Sequence, residues 1–375
     1  MSEAAVRTGD RFDHNSTAST RSVPTVRGHG LAFLASLEGL RVVLVLCQAA
    51  MIAQTWRLFS VRTLPPNLPL WSWLPQLDMG PVLLASPVLV LVRPRVGVVV
   101  HAALLAAALG LDQMRLQPEW VSIAILLVAT TSFRQARTLG WGHLASLWLW
   151  AGCNKAMSAG FVPGVAPSVA HDLGIASHPE VVAWGLPALE ITLGLLAVVP
   201  RTRRWAGLIG FVMHTGAIVG LHMRWDWAIL PWNVGLAWAS LVLLFVDPAR
   251  RAAYSGTPAD ARQLRQRRLL LAVLFGYPAL AWFGALDLYL AHHVFTGDAA
   301  TASVCDRRGR CSTFGPLVSG AAVKAPIPPD RRLFELWFRR DCRPGETLHV
   351  TARQFRWPLD HTADTSPSQA TCFRA

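Results

Sequence analysis

The sequence predicts an all-α, polytopic membrane protein: a bundle of about nine transmembrane helices followed by a small disulfide-bearing tail outside the membrane. Three observations predict it. Of 375 residues, 53% are hydrophobic and only 15% charged, too apolar for a water-soluble domain of this length. The basic residues are spread over short loops between the apolar segments. The last stretch, from His293 onward, has a soluble composition and holds four of the six cysteines. A net charge of +13 would suit nucleic acid if it formed one basic face. Distributed over loops it reads instead as membrane topology, so the expected partner is the lipid bilayer and no nucleic acid.

Residues 1–30 are polar, with no apolar core of a signal peptide, and are expected to form a disordered cytoplasmic tail. The first span, 40–56, then acts as the insertion signal. Glu38 and Arg41 at its start are i, i+3 neighbours and can pair. The second and third spans, 81–92 and 96–111, meet at the turn Arg93, Pro94, Arg95. Asp112, Gln113, Arg115 and Glu119 make a polar turn before the fourth span, 120–133. These pieces fall short of the roughly 20 residues that a crossing needs, so their boundaries are weakly defined.

Arg134 and Arg137 precede the fifth span, 141–158, and a loop over 159–180 carries His171, Asp172 and His178 but no Lys or Arg. The sixth span is 181–199, the seventh 205–222, the eighth 227–246 and the ninth 269–292. With the N-terminus inside, the inner segments hold eighteen arginines and the outer loops four, Arg57, Arg62, Arg115 and Arg224. That asymmetry predicts a multi-pass protein of the plasma (inner) membrane, N-terminus cytoplasmic and C-terminus extracytoplasmic. Trp56, Trp120, Trp184 and Trp227 near span ends read as an aromatic belt.

The extracytoplasmic domain, 299–375, can hold disulfides there. Cys305, Cys311, Cys342 and Cys372 allow three pairings, of which Cys305 with Cys311 is locally easiest. No C-x-x-C pair appears, so no metal is predicted. Cys47 and Cys153 lie in spans and read as apolar packing.

Lys155 is the only lysine before the tail and sits near the end of a Trp-rich apolar helix. An ionisable group inside a membrane is a functional candidate by default, although a lysine near a helix end can also snorkel to the headgroups. Counting residues from the outer ends puts Lys155 level with Asp287, and Glu190 level with His214, so each of these couples can pair. A Glu190–His214 contact can be a hydrogen bond that fixes helix register or part of proton handling.

The start of the first span, Leu37-Glu38-Gly39-Leu40-Arg41, resembles the HTTM family, the horizontally transferred transmembrane domain that includes vitamin K-dependent gamma-carboxylase. Ala151-Gly152-Cys153-Asn154-Lys155 is similar to the carboxylase's Ala-Gly-x-x-Lys stretch, whose lysine deprotonates vitamin K hydroquinone. Glu190, the turn from Pro200 to Arg204 and His214 follow the same pattern. The turn from Asp112 to Pro118, and Asp287 to Leu290 with Thr296-Gly297-Asp298, resemble relatives in the DoxX/MauE group. The resemblance covers roughly 31–298, which is the expected HTTM/DoxX-like domain. It departs after the lysine, where Ala156 and Met157 replace Leu-Asp, and the large lumenal portion of the carboxylase is missing. The resemblance implies two readings. In one the chain is a quinone-dependent membrane enzyme, with a membrane quinone or hydroquinone as cofactor and Lys155, Asp287, Glu190 and His214 as catalytic candidates at the outer face. In the other it is a non-catalytic membrane partner of an exported or redox protein.

Overall fold

In the computed structural model the described residues are 32–63, 66–158, 160–221, 229–247, 261–283, 286, 289–293, 296, 301–313, 328, 331–351 and 368–372. The apolar runs fold as helices: α1 Leu37–Gln54, α2 Gly80–Val92, α3 Pro94–Leu111, α4 Pro118–Ala129, α5 Ala136–Ala156, α6 Pro179–Val198, α7 Arg203–Leu221 and α8 Ile229–Ala239. The last runs on as a π-helical stretch, Ser240–Val246, and α9, Ala261–Gly276, tightens into a 3-10 segment, Tyr277–Phe283. Local chemistry sets several starts. Ser36 caps α1 by accepting from the Gly39 N–H at 3.1 Å. Proline opens α2, α3, α4 and α6, where its missing N–H has no intrahelical partner to lose.

Each of the nine expected segments contains helix among its described residues, but only four helices there are long and apolar enough to cross a membrane: Leu37–Gln54, Pro94–Leu111, Pro179–Val198 and Ile229–Val246. The shortfall has three causes. Helices α2 and α4 are apolar but only 13 and 12 residues long. Helix α5 has the length and carries too many polar groups. The ninth segment leaves α-geometry at Tyr277. The loop expected over 159–180 is also partly helical, with a π-helical turn, Phe161–Val165, and a short helix, Ala166–Asp172, that packs against α6.

Helix α1 lies against α2, α4 and α8, and α2 with α3 forms a tight hairpin. Arg41 does not pair with Glu38 as expected. It reaches the end of α4 and donates to the Thr130 carbonyl at 2.8 Å, satisfying one of the carbonyls a helix end leaves open. The polar turn after α3 is a buried network. Asp112 accepts from Arg62 at 2.5 Å, Asn67 at 3.1 Å and the Leu68 N–H at 3.0 Å, while Arg115 donates to the carbonyls of Leu58 and Phe59.

The C-terminal region departs from an all-α fold. Strands β1 Thr301–Cys305, β2 Cys311–Thr313, β3 Thr347–Thr351 and β4 Ser368–Thr371 form an antiparallel sheet in the order β2-β1-β3-β4. Helix α10, Arg331–Asp341, covers it with Leu333, Phe334, Trp337 and Phe338. The cysteines join as Cys305–Cys311 and Cys342–Cys372. In the β1–β2 turn, Asp306 accepts from the N–H groups of Arg308 and Arg310 and from the Arg310 side chain, which holds its carboxyl below the usual carboxylate range. Arg340 of α10 donates to the Asn67 carbonyl at 2.7 Å and so anchors this module to the Asp112 network.

Candidate functional site

Helix α5 is the hub of the second half, and its neighbours are chosen by residue spacing. One face is small. A Cβ at Gly152 would lie 2.7 Å from the Pro187 carbonyl oxygen, and one at Gly194 would lie 2.7 Å from Leu149 Cβ. Close approach of this kind is how helices associate where lipid offers no hydrophobic drive. It brings α6 near enough for Lys155 to donate to both carboxylate oxygens of Glu190, at 2.9 and 2.8 Å. Lys155 is 4% exposed and Glu190 8%. Two opposite charges buried together offset a desolvation cost that neither could bear alone.

A second face of α5 carries Ser146, Trp150 and Asn154 at i, i+4 spacing, and Ser158, just past the helix end, continues the row. Ser146 and Trp150 donate to the carbonyls of Leu274 and Phe275, at 2.6 and 3.0 Å, where α9 loses its own hydrogen bonding. Asn154 donates to the Ala291 carbonyl at 2.9 Å and accepts from Trp282 at 3.2 Å, and Ser158 donates to the Thr296 carbonyl. The side chain just before Lys155 therefore has a structural assignment.

His214 lies on α7. Its Nε2 accepts from the Trp148 indole at 3.0 Å. Nδ1 must then carry the proton and donate to Asn233 Oδ1 at 2.8 Å. Both nitrogens are taken, so the expected contact with Glu190 is not formed. The expected partner of Lys155, Asp287, lies outside the described residues. Of the four candidate catalytic residues the structure thus brings together Lys155 and Glu190 and gives His214 other partners.

A further group escaped the sequence reading. His143 Nε2 is 2.8 Å from Ser122 Oγ, and its ring stands 5.6 Å from that of His292. His292 Nε2 is 3.4 Å from the Tyr277 hydroxyl. Both Nδ1 atoms are buried without a partner among the described residues. His292 has φ 62°, a left-handed conformation uncommon outside glycine and associated with functional strain. The signal available was one more polar residue on α5 among apolar neighbours. No cluster of three or more potential metal ligands occurs among the described residues.

Residues 136–246, which are α5 through α8 and contain both the Lys155–Glu190 pair and the His214 contacts, match the family model described as methylamine utilisation protein MauE. No curated protein and no solved structure matches the chain.

Proposed function

We propose that this multi-pass membrane protein is a non-catalytic partner of an exported or redox protein, with the bundle holding the disulfide-stapled module at the extracytoplasmic face. The observation that carries the reading is that the MauE-like segment coincides with the four helices joined by buried polar contacts. Such contacts fix helix register and leave little free for chemistry. Lys155 makes both of its contacts inward, to Glu190, and His214 has both nitrogens occupied. The N-in orientation that puts the module outside is supported by the arginine asymmetry of the loops.

A second reading, suggested by the HTTM resemblance, makes Lys155 the base of a hydroquinone site. What favours it is that the buried pair can hold its proton on either group, as ammonium with carboxylate or amine with carboxylic acid. As an ammonium, Lys155 has two of its three donors on Glu190, and its nitrogen becomes a base only when a proton passes to that carboxylate. As arranged, the residues are closed rather than poised, and no step through a quinone follows from them.

The two readings separate in the native host. Deleting the chain should change the abundance or thiol oxidation of particular exported proteins, measured by differential thiol labelling, and Lys155→Arg should restore the normal pattern because arginine keeps the ion pair. A base at Lys155 gives the opposite result, since arginine stays protonated at any working pH. Failure of folded Lys155→Arg protein to complement, together with a quinone recovered in stoichiometric amount by mass spectrometry, would overturn the partner reading.

A further inference from the structure

The end of the bundle where α1 and α5 begin, α2 turns into α3, and α4 stops contains a cleft of about 550 Å³. Four arginines line it. Two have structural duties at the last carbonyls of α4: Arg41 on Thr130, and Arg137 on Ala129 and Thr131. Glu38 lines the same cleft, and Asp247 stands 3.9 Å from Arg137. Arg93 and Arg95 remain without a carboxylate among the described residues. Arg95 donates to Ser132 Oγ at 2.7 Å, and the Arg93 side chain makes no hydrogen bond or ion pair among the described residues.

Both arginines are exposed, and they stand beside apolar surface that is also exposed. Val92 is 70% and Val96 54% exposed on the same turn. Helices α2 and α4, which end here, have 13 and 12 residues and cover only roughly 20 Å each, against a hydrocarbon core of about 30 Å. Local thinning of the bilayer to meet them brings lipid phosphates toward the guanidiniums.

We infer that this cleft binds the headgroup of an anionic glycerophospholipid, with Arg93 and Arg95 on the phosphate, acyl chains along Val92 and Val96, and Glu38 accepting a hydrogen bond from a headgroup hydroxyl. A paired guanidinium site suits a phosphate because both are forked. Free phosphate would use the arginines and leave the apolar wall in contact with nothing, which favours the lipid. Basic pockets between helices at the headgroup level are general lipid sites.

The test uses purified full-length protein in a non-ionic detergent, with thermal unfolding followed during titration by phosphatidylglycerol, by phosphatidylcholine of the same acyl chains, and by inorganic phosphate. Phosphatidylglycerol should raise the midpoint saturably, and the other two should leave it in place. The double variant Arg93→Gln, Arg95→Gln should lose at least ten-fold in apparent affinity. Arg93→Gln alone, which removes no contact among the described residues, should lose part of it. Arg57→Gln at the opposite end should respond as wild type. An equal rise with phosphatidylcholine or with inorganic phosphate, or an undiminished response from both the double and the single variant, would overturn the proposal, as would equal loss in Arg57→Gln.

Discussion

Lys155 and Glu190 are each other's counter-ion, and the consequence can be measured. Replacing either alone, as Lys155→Met or Glu190→Gln, strands a buried polar or charged group and should cost roughly 3–5 kcal/mol. The double variant should be well below the sum of the singles in a denaturant or thermal series, since nothing is left unpaired. Additive losses would mean that the two do not share their energy. Lys155→Arg should keep expression near wild type. Asn233→Leu is a milder case: it leaves Nδ1–H of His214 buried without an acceptor, and about 1–3 kcal/mol should be lost in the same assay. The histidine chemistry recurs in the first half, where His101 Nδ1 meets Ser86 Oγ at 2.6 Å and Nε2 meets Gln48 at 3.0 Å. His101 and His214 thus join helices through two occupied nitrogens, whereas His143 uses only Nε2 among the described residues. That Lys155, Glu190 and His214 matter was legible in their polarity. Their partners were not, because counting from helix ends assumes the ends are level. Lys155 is one residue from the end of α5, while Glu190 is eleven residues into α6, about 16 Å along its axis. Helix α5 therefore stops well below the level at which α6 starts, and the short helix Ala166–Asp172 lies in the connection between them.

At the scale of elements, hydropathy identified where helices lie and misjudged what several of them do. Runs of 12 and 13 residues are helical but too short to cross as drawn, and α5 is long but interrupted by groups that serve its neighbours. The row Ser146, Trp150, Asn154, Ser158 was readable as an i, i+4 stripe, but its target was not: Gly276 followed by Pro278 marks where α9 loosens, yet nothing in sequence says that α5 lies against that point. The α5–α6 contact rests on glycine. Gly152→Val places methyl groups against the Pro187 carbonyl and Ile191, with the backbone oxygen unable to yield, and should separate the helices and disrupt the Lys155 contact. Thermal stability should drop by more than that of the Lys155→Met protein, because packing and ion pair fail together. Gly185→Ala on α6 supplies the control: nothing lies within 4 Å of its added Cβ, so the higher helix propensity of alanine should leave stability unchanged or raise it by about 0.5–1 kcal/mol. Equal losses at the two glycines would show that the close approach is not what holds the helices.

For the whole molecule, the separation into a membrane bundle and a cysteine-bearing tail was legible from composition, and the sheet was not. Its strands are three to five residues long, and β4 lies seventeen residues beyond β3, too short and too distant for an alternating pattern to register. The pairing of Cys342 with Cys372 needed that sheet, which brings β4 beside β3 and so the two sulfurs together, whereas Cys305–Cys311 follows from proximity alone. The two bonds should differ in worth. Chain entropy gives about 2.2 kcal/mol for a loop spanning six residues and about 3.6 kcal/mol for one spanning thirty. Replacing Cys342 and Cys372 together by serine should therefore open the module to protease more than replacing Cys305 and Cys311. The same cysteines report which side of the membrane the module occupies. In intact cells, a membrane-impermeant thiol reagent added after mild reduction should label the wild-type tail and should give no tail label when all four cysteines are serine, with Cys47 and Cys153 shielded in the bundle. Since Arg340 fastens the module to the Asp112 network, its side is also the side of the α3–α4 turn. A single cysteine at Trp73, which is 75% exposed in the loop that meets that end through Leu70 and Gly110, must label together with the tail, and one placed beside Arg93 must label only after permeabilisation. Labelling of the tail only after permeabilisation would invert the orientation and remove the oxidising compartment on which the disulfides depend.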